Sequence, residues 1–424
     1  MTRLVRTAGR RTFVSLRRHR NYRLFFAGQI TSVCGTWMQS VALYWLVLGL
    51  TYSPVAVGLL SLARFGPYTL FGLFAGVVAD RFDNRRTVIV TQSVQMAFSG
   101  LLAAVTLLGA VQAWQVYAIA ALTGTAVVFD LPARQNLTVQ LVGRNELPNA
   151  IALNSSLFNT ARILGPALAG VVIAALGAGW CFAINSASFL AVLAGLLAMR
   201  ANELFPLANR ARPALVAGTR EGLAYVRRTR PVLVLTLLAG VVMAFAFNVN
   251  VLLPVLARQT LSSGPLTLGI ITACFGGGAL AGSLVAAASG RARFRVMLGA
   301  VAAFGAAELV IAPLHSVVAV GALLFVCGAC FTSYTAGSNA AVQLGTPDEI
   351  RGRVLGVYFY AWTAPLPLAS PLIGWLCAVG GTELAFVFGG LCALAAAATA
   401  AVAVGGLPPG RLRRRDSEPA VAAA

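Results

Sequence analysis

The sequence predicts an all-α polytopic membrane protein with twelve transmembrane helices in two pseudo-symmetric six-helix bundles. Three observations carry this prediction: the apolar composition, the one-sided placement of the arginines and an internal repeat. Of the 424 residues, 58% are hydrophobic and only 10% are charged, and the mean hydropathy is +0.82. A soluble domain of this length does not need so much apolar surface, so most of the chain is expected to lie in a bilayer.

Twelve apolar stretches are long enough to cross a membrane, since a membrane helix needs about 20 apolar residues. The first is too long to be the apolar core of a cleaved signal peptide, so it is expected to remain as a span. A polar stretch, residues 134–148, separates the fourth span from the fifth and is expected to lie outside them. The predicted spans are residues 24–50, 55–79, 87–110, 113–133, 149–177, 180–200, 231–257, 265–289, 296–313, 316–343, 353–378 and 382–405.

The net charge of +20 comes from arginine alone, because the chain has no lysine. Of the 32 arginines, 29 lie on one side of the predicted spans, only Arg258 lies on the other, and Arg64 and Arg162 lie within spans. Positive residues mark the cytoplasmic side of a membrane protein. We therefore expect both termini in the cytoplasm of a multi-pass protein of the cell membrane. A lipid bilayer, and no nucleic acid, is the partner that this distribution predicts.

The spans divide the chain into five regions. Residues 1–23 form a basic cytoplasmic N-terminal segment, and residues 24–200 form the N-terminal six-helix bundle. Residues 201–230 form a cytoplasmic linker, residues 231–405 the C-terminal bundle, and residues 406–424 a cytoplasmic tail.

An internal repeat supports two duplicated halves. The echoes are Ser-Pro-x-x-x-Gly at 53–58 and Gly-Pro-x-x-x-Gly at 264–269, Gly-Pro-x-x-x-Gly at 165–170 and Ser-Pro-x-x-Gly at 370–374, and Asn-x-x-Val-Gln-Leu at 136–141 and 339–344. Two halves repeated in the same orientation are related by an axis along the membrane normal, and a central pathway then runs between them.

A charged turn joins the second predicted span to the third, at residues 76–86. It resembles the signature loop of the major facilitator superfamily, a Gly-x-Leu-Ala-Asp-Arg-x-Gly-Arg-Arg pattern. Asp83 stands in place of the second glycine of the pattern and Asn84 in place of a basic residue. The resemblance implies a conformational latch that holds the cytoplasmic side shut, although the arginines could also serve only as topology markers. The expected latch residues are Gly76, Asp80, Arg81, Arg85 and Arg86.

The fifth predicted span resembles the antiporter motif of exporters in this superfamily through Gly165, Pro166 and Gly170. Small residues there permit close helix approach, and proline bends the helix. Residues 130–135 and the segment up to Arg162 resemble the macrolide- and enterobactin-exporter branch of the drug:proton antiporters. The resemblance implies a secondary transporter that exports a small amphipathic molecule, of drug, macrolide or siderophore type, in exchange for protons.

Polar side chains at helical spacing identify the candidate substrate pathway, because such a face must meet protein or water in a bilayer. Hydrogen bonding between helices is the alternative for these stripes, and membrane-interface anchoring is the alternative for the Tyr–Trp pair. Asn248 and Asn250 point to opposite faces, so at most one can line the pathway. The candidates are Gln29, Ser32, Thr36 and Gln39 in the first span, Ser155, Asn159 and Arg162 in the fifth, Thr335, Asn339 and Gln343 in the tenth, and Tyr358 and Trp362 in the eleventh.

Three charged residues within or beside spans are candidates for proton coupling: Asp130, Arg162 and Glu308. We expect Asp130, placed near the cytoplasmic end of the fourth span, to pair with Arg162, because an unpaired arginine at that depth is costly. The pair could switch with protonation or could be purely structural. Glu308 is the only acid within the ninth span, where it could carry a proton or be a bystander satisfied by a partner.

Other classes of function have weaker support. An importer or uniporter of a small metabolite is the alternative within transport, and a sensor or scaffold that does not transport is the alternative outside it. A membrane enzyme would cluster His, Asp or Glu at a span end, and no such cluster or nucleotide-binding loop occurs in the sequence. Cys327 and Cys330 lack the further ligands of a zinc site. We expect no cofactor and no metal, a small-molecule substrate and protons as partners, and a monomer.

Overall fold

The structure, a computed structural model, describes residues 13–206, 215–289 and 293–405. Ten of its helices are long and apolar enough to cross a membrane, and two of those, Ala113–Leu176 and Arg351–Val404, are long enough to cross it twice. Dividing these two long helices at Gly143 and Gly381 gives twelve described spans. The spans are α1 Arg20–Thr51, α2 Pro54–Arg81, α3 Asn84–Leu107, α4 113–142, α5 144–176, α6 Ala178–Leu197, α7 Arg230–Thr260, α8 Pro265–Ser289, α9 Phe294–Ile311, α10 Val317–Leu344, α11 351–379 and α12 382–405.

Glycines with positive φ separate the two fused pairs of spans. Gly143 has φ +69° between α4 and α5, and Gly381 has φ +68° between α11 and α12. Glycine reaches this region at no steric cost because it has no Cβ. The helices therefore extend beyond the predicted span limits at residues 133 and 149. Both flanking helices run through this stretch, whose polar composition marks where they leave the bilayer, and Gly143 alone leaves the helical region.

Several turns between spans are short and capped by their own sequence. Ser53 caps α2 by accepting from the Ala56 amide, and Pro54 takes the first helical position. Asp83 caps α3 by accepting from the Arg86 amide at 2.7 Å. A side-chain oxygen at this position satisfies an amide that the helix cannot pair, and proline there loses no hydrogen bond.

The turns with most arginines lie at one end of the bundle, called the arginine-rich end; the turns 52–53, 108–112 and 261–264 lie at the opposite, arginine-poor end. A linker helix, Leu215–Arg228, packs at the arginine-rich end of the C-terminal half. Its Tyr225 hydroxyl donates to the Gly345 carbonyl at 2.9 Å, and its Glu221 pairs with Arg353 of α11.

The two halves meet through the repeated Pro-x-x-x-Gly segments. In the contact of α2 with α11, a Cβ added at Gly58 would lie 2.5 Å from the Ser370 carbonyl oxygen, and one added at Gly374 would lie 2.5 Å from that of Pro54. In the contact of α5 with α8, a Cβ added at Gly269 would lie 2.7 Å from the Pro166 carbonyl oxygen. Only glycine permits these approaches. Each repeated segment thus packs against a repeated segment of the other half, 53–58 against 370–374 and 165–170 against 264–269, toward the arginine-poor end.

Candidate functional site: a central cavity and a buried charged network

A cavity of about 110 Å³ lies between the halves, lined by α1, α5, α7 and α8. The first span contributes Trp37, Val41 and Tyr44, which are spaced four and three residues apart and so share one helix face. The C-terminal half contributes Phe247, Asn250, Thr272 and Phe275 among others. The wall is therefore mostly aromatic and apolar, with a few polar groups, as small-molecule sites are.

The polar stripe of α1 lies away from this cavity. Gln39 is 8% exposed, and its Oε1 accepts from Ser99 of α3 and from Asn185 of α6, each at 2.5 Å. Thr36 donates to the carbonyl of Ser32, a buried residue one turn earlier. The described cavity does not include Ser32, Thr36 or Gln39, and Thr36 and Gln39 make the hydrogen bonds within and between helices that the alternative describes; the pathway role of the three stays a prediction. Thr36 and Gln39 are thus hydrogen-bonded inside the N-terminal half, and the face of α1 with Trp37 and Tyr44 lies on the cavity.

Arg162 of α5 lies on the cavity wall between two aromatic rings. Its guanidinium carbon is 5.9 Å from the Trp37 ring centroid and 5.4 Å from that of Phe275. The predicted ion pair with Asp130 is wrong. At about 1.5 Å per residue, Asp130 lies about 20 Å along α4 from the kink at Gly143, and Arg162 lies about 28 Å along α5 from the same kink. The two side chains therefore lie at different depths.

Asp130 is instead the centre of a buried network in the N-terminal half. It is 4% exposed and pairs with Arg134, one turn later on the same helix. Its carboxylate also accepts from Thr91 Oγ1 at 2.6 Å and from Gln92 Nε2 at 3.0 Å, both on α3. Because α4 continues to residue 142, Asp130 lies near the middle of its helix and not near the cytoplasmic end.

Arg134 ties this network to the first span. Its Nη1 donates to Gln29 Oε1 of α1 at 2.6 Å, and Gln29 is 3% exposed. Gln29 thus makes a contact between α1 and α4, and its pathway role stays a prediction. Gln29 Nε2, Gln92 Oε1 and Arg134 Nε are buried with no partner in the described chain. The i, i+4 spacing of Asp130 and Arg134 was the sequence signal that could have found this pair.

Glu308 lies in the last turn of α9 and is 3% exposed. Its Oε2 has no hydrogen-bond partner in the residues that the structure covers, so the expectation of a satisfied bystander is wrong. A Cβ added at Gly389 would lie 3.0 Å from this oxygen and 3.0 Å from the Phe245 carbonyl oxygen of α7. Phe245 belongs to a π-turn, Val242–Ala246, that interrupts the α7 ladder. The acid thus lies beside irregular backbone inside the C-terminal half.

The break in α7 shapes the floor of the cavity. Phe247 follows the π-turn with non-helical φ −88° and ψ 68°, and its ring stacks on Phe331 of α10 with centroids 3.8 Å apart. Asn248 turns away and accepts from Ser370 Oγ at 3.0 Å, whereas Asn250 lines the cavity. As expected from their opposite faces, only one of the two asparagines lines the cavity.

The aromatic candidates of α11 belong to the core of the C-terminal half. Tyr358 is 1% exposed, and its hydroxyl bonds to Ser338. Trp362 stacks on Tyr334 with centroids 6.0 Å apart and meets Phe331 edge-on. Both side chains pack against α10 and do not line the described cavity, so their pathway role stays a prediction.

The other candidates of α5 and α10 lie nearer the arginine-rich end than the cavity does. Asn159 donates to the Ser155 carbonyl at 3.0 Å, and Ser155 is exposed. On α10, Gln343 donates to Asn339 at 2.8 Å, and Thr335 donates to a carbonyl of its own helix. These groups are accessible and satisfied locally, and the cavity does not include them.

The antiporter-like motif brings α5 against two neighbours. A Cβ added at Gly165 would collide with Trp37 of α1, and one added at Gly170 would lie 3.0 Å from the Pro265 carbonyl oxygen of α8. Pro166 lies within the same contact, where its carbonyl approaches Gly269. The motif therefore sets the α1–α5–α8 packing that places Arg162 on the cavity.

The signature turn anchors α3 to the end of α6. Arg85 Nε donates to the Leu196 carbonyl at 2.9 Å and Arg85 Nη2 to that of Leu197 at 3.2 Å. Asp80, in the last turn of α2, also has an interaction partner. The remaining expected latch residues are exposed: Gly76, Arg81 and Arg86.

Two arginines that the sequence left without a role cross between helices. Arg258, in the last turn of α7, lies 5.2 Å from the ring centroids of both Trp45 and Tyr52, at the end of α1. It links the two halves at the arginine-poor end. Arg64 of α2 donates to Ser40 Oγ at 2.6 Å, so it points into the N-terminal half.

Twelve spans in two halves around a central cavity define a class: the protein is a multi-pass membrane transporter of the major facilitator superfamily. Residues 11–419 match the model of the transmembrane secretion effector family, and the chain belongs to that family. The resemblance seen in the sequence is thereby confirmed.

Relatives and solved structures agree with this assignment. The chain is 27% identical to the multidrug efflux pump Tap of Mycolicibacterium fortuitum, over 86% of this chain and 91% of the relative. It is 23% identical to macrolide efflux protein A of Streptococcus pyogenes, over 67% and 71%. The crystal structure of a D-xylose-proton symporter superposes with a TM-score of 0.66 at 15% identity, over 92% of this chain and 96% of that one. This last likeness shows the fold alone.

Proposed function

We propose that the protein is a proton-coupled exporter of a small amphipathic molecule, working by alternating access in the cell membrane. The observation that carries the proposal is the Asp130–Arg134–Gln29 network, a buried titratable group linked to a helix of the cavity wall. The names of the relatives, a multidrug efflux pump and a macrolide efflux protein, favour export over import or facilitated diffusion. They also favour transport over a sensor or scaffold role.

The contacts between the halves describe one end of the transport cycle. The Gly58–Ser370 and Gly269–Pro166 approaches close the arginine-poor side of the cavity, and Arg258 joins α7 to α1 there. Interfaces of this kind have discrete packed states, so a rocking motion of the halves breaks and remakes them as units. The arginine-rich side opens as this side closes, and both termini lie in the cytoplasm.

Proton coupling acts through α1. Protonation of Asp130 removes the negative charge that holds Arg134, and the Arg134 contact to Gln29 loosens with it. Gln29 and Trp37 belong to the same helix, so the event reaches the cavity wall through a rigid element. Deprotonation restores the network and the original packing. The signature turn, with Asp80 and Arg85, latches the cytoplasmic side, and the monomer is the working unit.

The test uses inside-out vesicles with an acidic interior, made from an exporter-deficient host that produces the protein. Hydrophobic drugs, macrolides and siderophores are added in turn to the outside, which is the cytoplasmic face. Asp130→Asn is expected to abolish substrate-induced proton efflux, because the amide cannot release a proton. The matched control is Glu383→Gln, which neutralises an acid whose side chain is 57% exposed, far from the network. The control should exchange protons for substrate as the wild type does. Proton exchange that persists in Asp130→Asn contradicts the proposed carrier, and no accumulation change for any compound contradicts export.

A further inference from the structure

Among the residues that line the described cavity, only Arg162 is charged. None of the ion pairs in the described ranges includes it; the acid predicted for it pairs with Arg134. A guanidinium left without a carboxylate inside a membrane protein is costly, and such positions mark substrate pathways. The guanidinium of Arg162 is therefore the one cationic group on the described cavity wall, and its N–H donors are available to a ligand.

The surroundings fix this group in place. The Trp37 and Phe275 rings flank the guanidinium at 5.9 and 5.4 Å. The Arg162 backbone is pinned by the α5–α8 contact, because a Cβ added at Gly276 would lie 2.8 Å from the Arg162 carbonyl oxygen. Rings stacked beside a guanidinium stabilise its charge and leave its planar N–H edge free. A planar, held fork of donors is the geometry that binds a carboxylate with two parallel hydrogen bonds.

The remaining wall suits an apolar body. Val41, Leu253, Leu268 and Phe247 face the cavity, and Asn250 and Thr272 provide neutral polar contacts. We infer that this cavity binds an amphipathic organic anion, with its carboxylate on Arg162 and its aromatic or aliphatic body against these side chains. The inference rests on the proposed transport function, which it narrows to a substrate class. Cationic amphiphiles are disfavoured at the same site, since Arg162 repels them and the wall offers no acid.

The test compares two probes that share an apolar body and differ in charge, 1-naphthylacetate and 1-naphthylmethylammonium. Binding to the full-length protein in lipid nanodiscs is measured by calorimetry, with empty nanodiscs subtracting partition into lipid. The wild type is expected to bind the anion at least about tenfold more tightly than the cation, the range of a charge-assisted hydrogen bond. Equal affinities, or no saturable binding of the anion, overturn the inference.

Variants assign the preference to the guanidinium. Arg162→Gln should weaken anion binding about tenfold and bring the ratio of the two affinities close to one. Arg162→Lys keeps the charge and loses the planar fork, so it should retain part of the preference for the anion over the cation. This variant keeps the test informative if Arg162→Gln does not fold. The matched control, Arg220→Gln, removes an exposed arginine of the linker helix and should leave the ratio unchanged. An unchanged ratio in Arg162→Gln overturns the assignment.

The outcomes separate this inference from the proposed function. An anion preference without any proton-coupled flux supports the site and removes the export proposal. Proton-coupled efflux of cationic compounds, with no anion preference in binding, supports the export proposal and overturns the anion site.

Discussion

The two halves of the transporter treat their buried acids differently. In the N-terminal half, Asp130 has Arg134, Thr91 and Gln92 around it. In the C-terminal half, Glu308 is as deeply buried, yet its Oε2 has no partner within the described chain and faces the α7 π-turn. The two halves share the same arrangement of helices, but the partners of their buried acids differ.

The difference indicates a division of labour. A change in the charge of Asp130 acts directly on Arg134, and Arg134 connects the acid to α1 through Gln29. Glu308 forms no ion pair in the described residues and its Oε2 has no hydrogen-bond partner there, so it has no comparable connection to the cavity wall. The C-terminal half instead supplies a cluster of aromatic rings, in which Phe331 stacks on Phe247 on one side and meets Trp362 edge-on. We expect the N-terminal half to respond to protons and the C-terminal half to shape the cavity.

The largest effect should come from removing one side of the buried pair. Arg134→Ala leaves the Asp130 carboxylate buried without a cation, which costs about 3–5 kcal/mol. The melting temperature in detergent should fall by several degrees. The double variant Asp130→Asn with Arg134→Gln, which removes both charges, should recover most of that loss. Equal melting temperatures for Arg134→Ala and the wild type would show that the pair is dispensable to the fold.

An intermediate effect should come from the contact between the halves. Gly269→Val places side-chain atoms where a Cβ alone already lies 2.7 Å from the Pro166 carbonyl oxygen, and overpacking of this kind costs about 1–3 kcal/mol. The closed arginine-poor side should be disfavoured, and a cysteine introduced at Asn250 should react faster with a membrane-impermeant thiol reagent from outside. Gly299→Val is the control, because a Cβ there meets nothing within 4 Å. Equal labelling of the two variants would argue that this contact does not seal the cavity.

The smallest effect should come from the acid of the C-terminal half. Glu308→Gln keeps the shape of the side chain and breaks no ion pair found in the described residues. We expect transport within about twofold of the wild type and a stability change within about 1 kcal/mol. Flux-coupled pH change in vesicles measures the first and thermal unfolding the second. Loss of proton exchange in this variant would move the proton carrier into the C-terminal half and break the division of labour.

The sequence alone determined the elements and their class. Hydropathy located the twelve spans, and the signature turn at residues 76–86 and the antiporter-like motif identified the superfamily. Span starts such as Ser53-Pro54 and Asp83 are local as well, since a cap needs only an amide two or three residues away. All of these depend on neighbours along the chain.

Tertiary structure alone decided the rotation of each helix about its axis and which charged side chains form ion pairs. Gln39 and Trp37 belong to one helix. The rotation of α1 about its axis directs Gln39 toward Ser99 and Asn185, with which it is hydrogen-bonded, and directs Trp37 toward the cavity. The chain contains both Arg134 and Arg162 as possible partners of Asp130, and the depth set by the kink at Gly143 selected the first. The physical reason is that a helical stripe is fixed by sequence, whereas its rotation and depth follow from packing against helices distant in sequence.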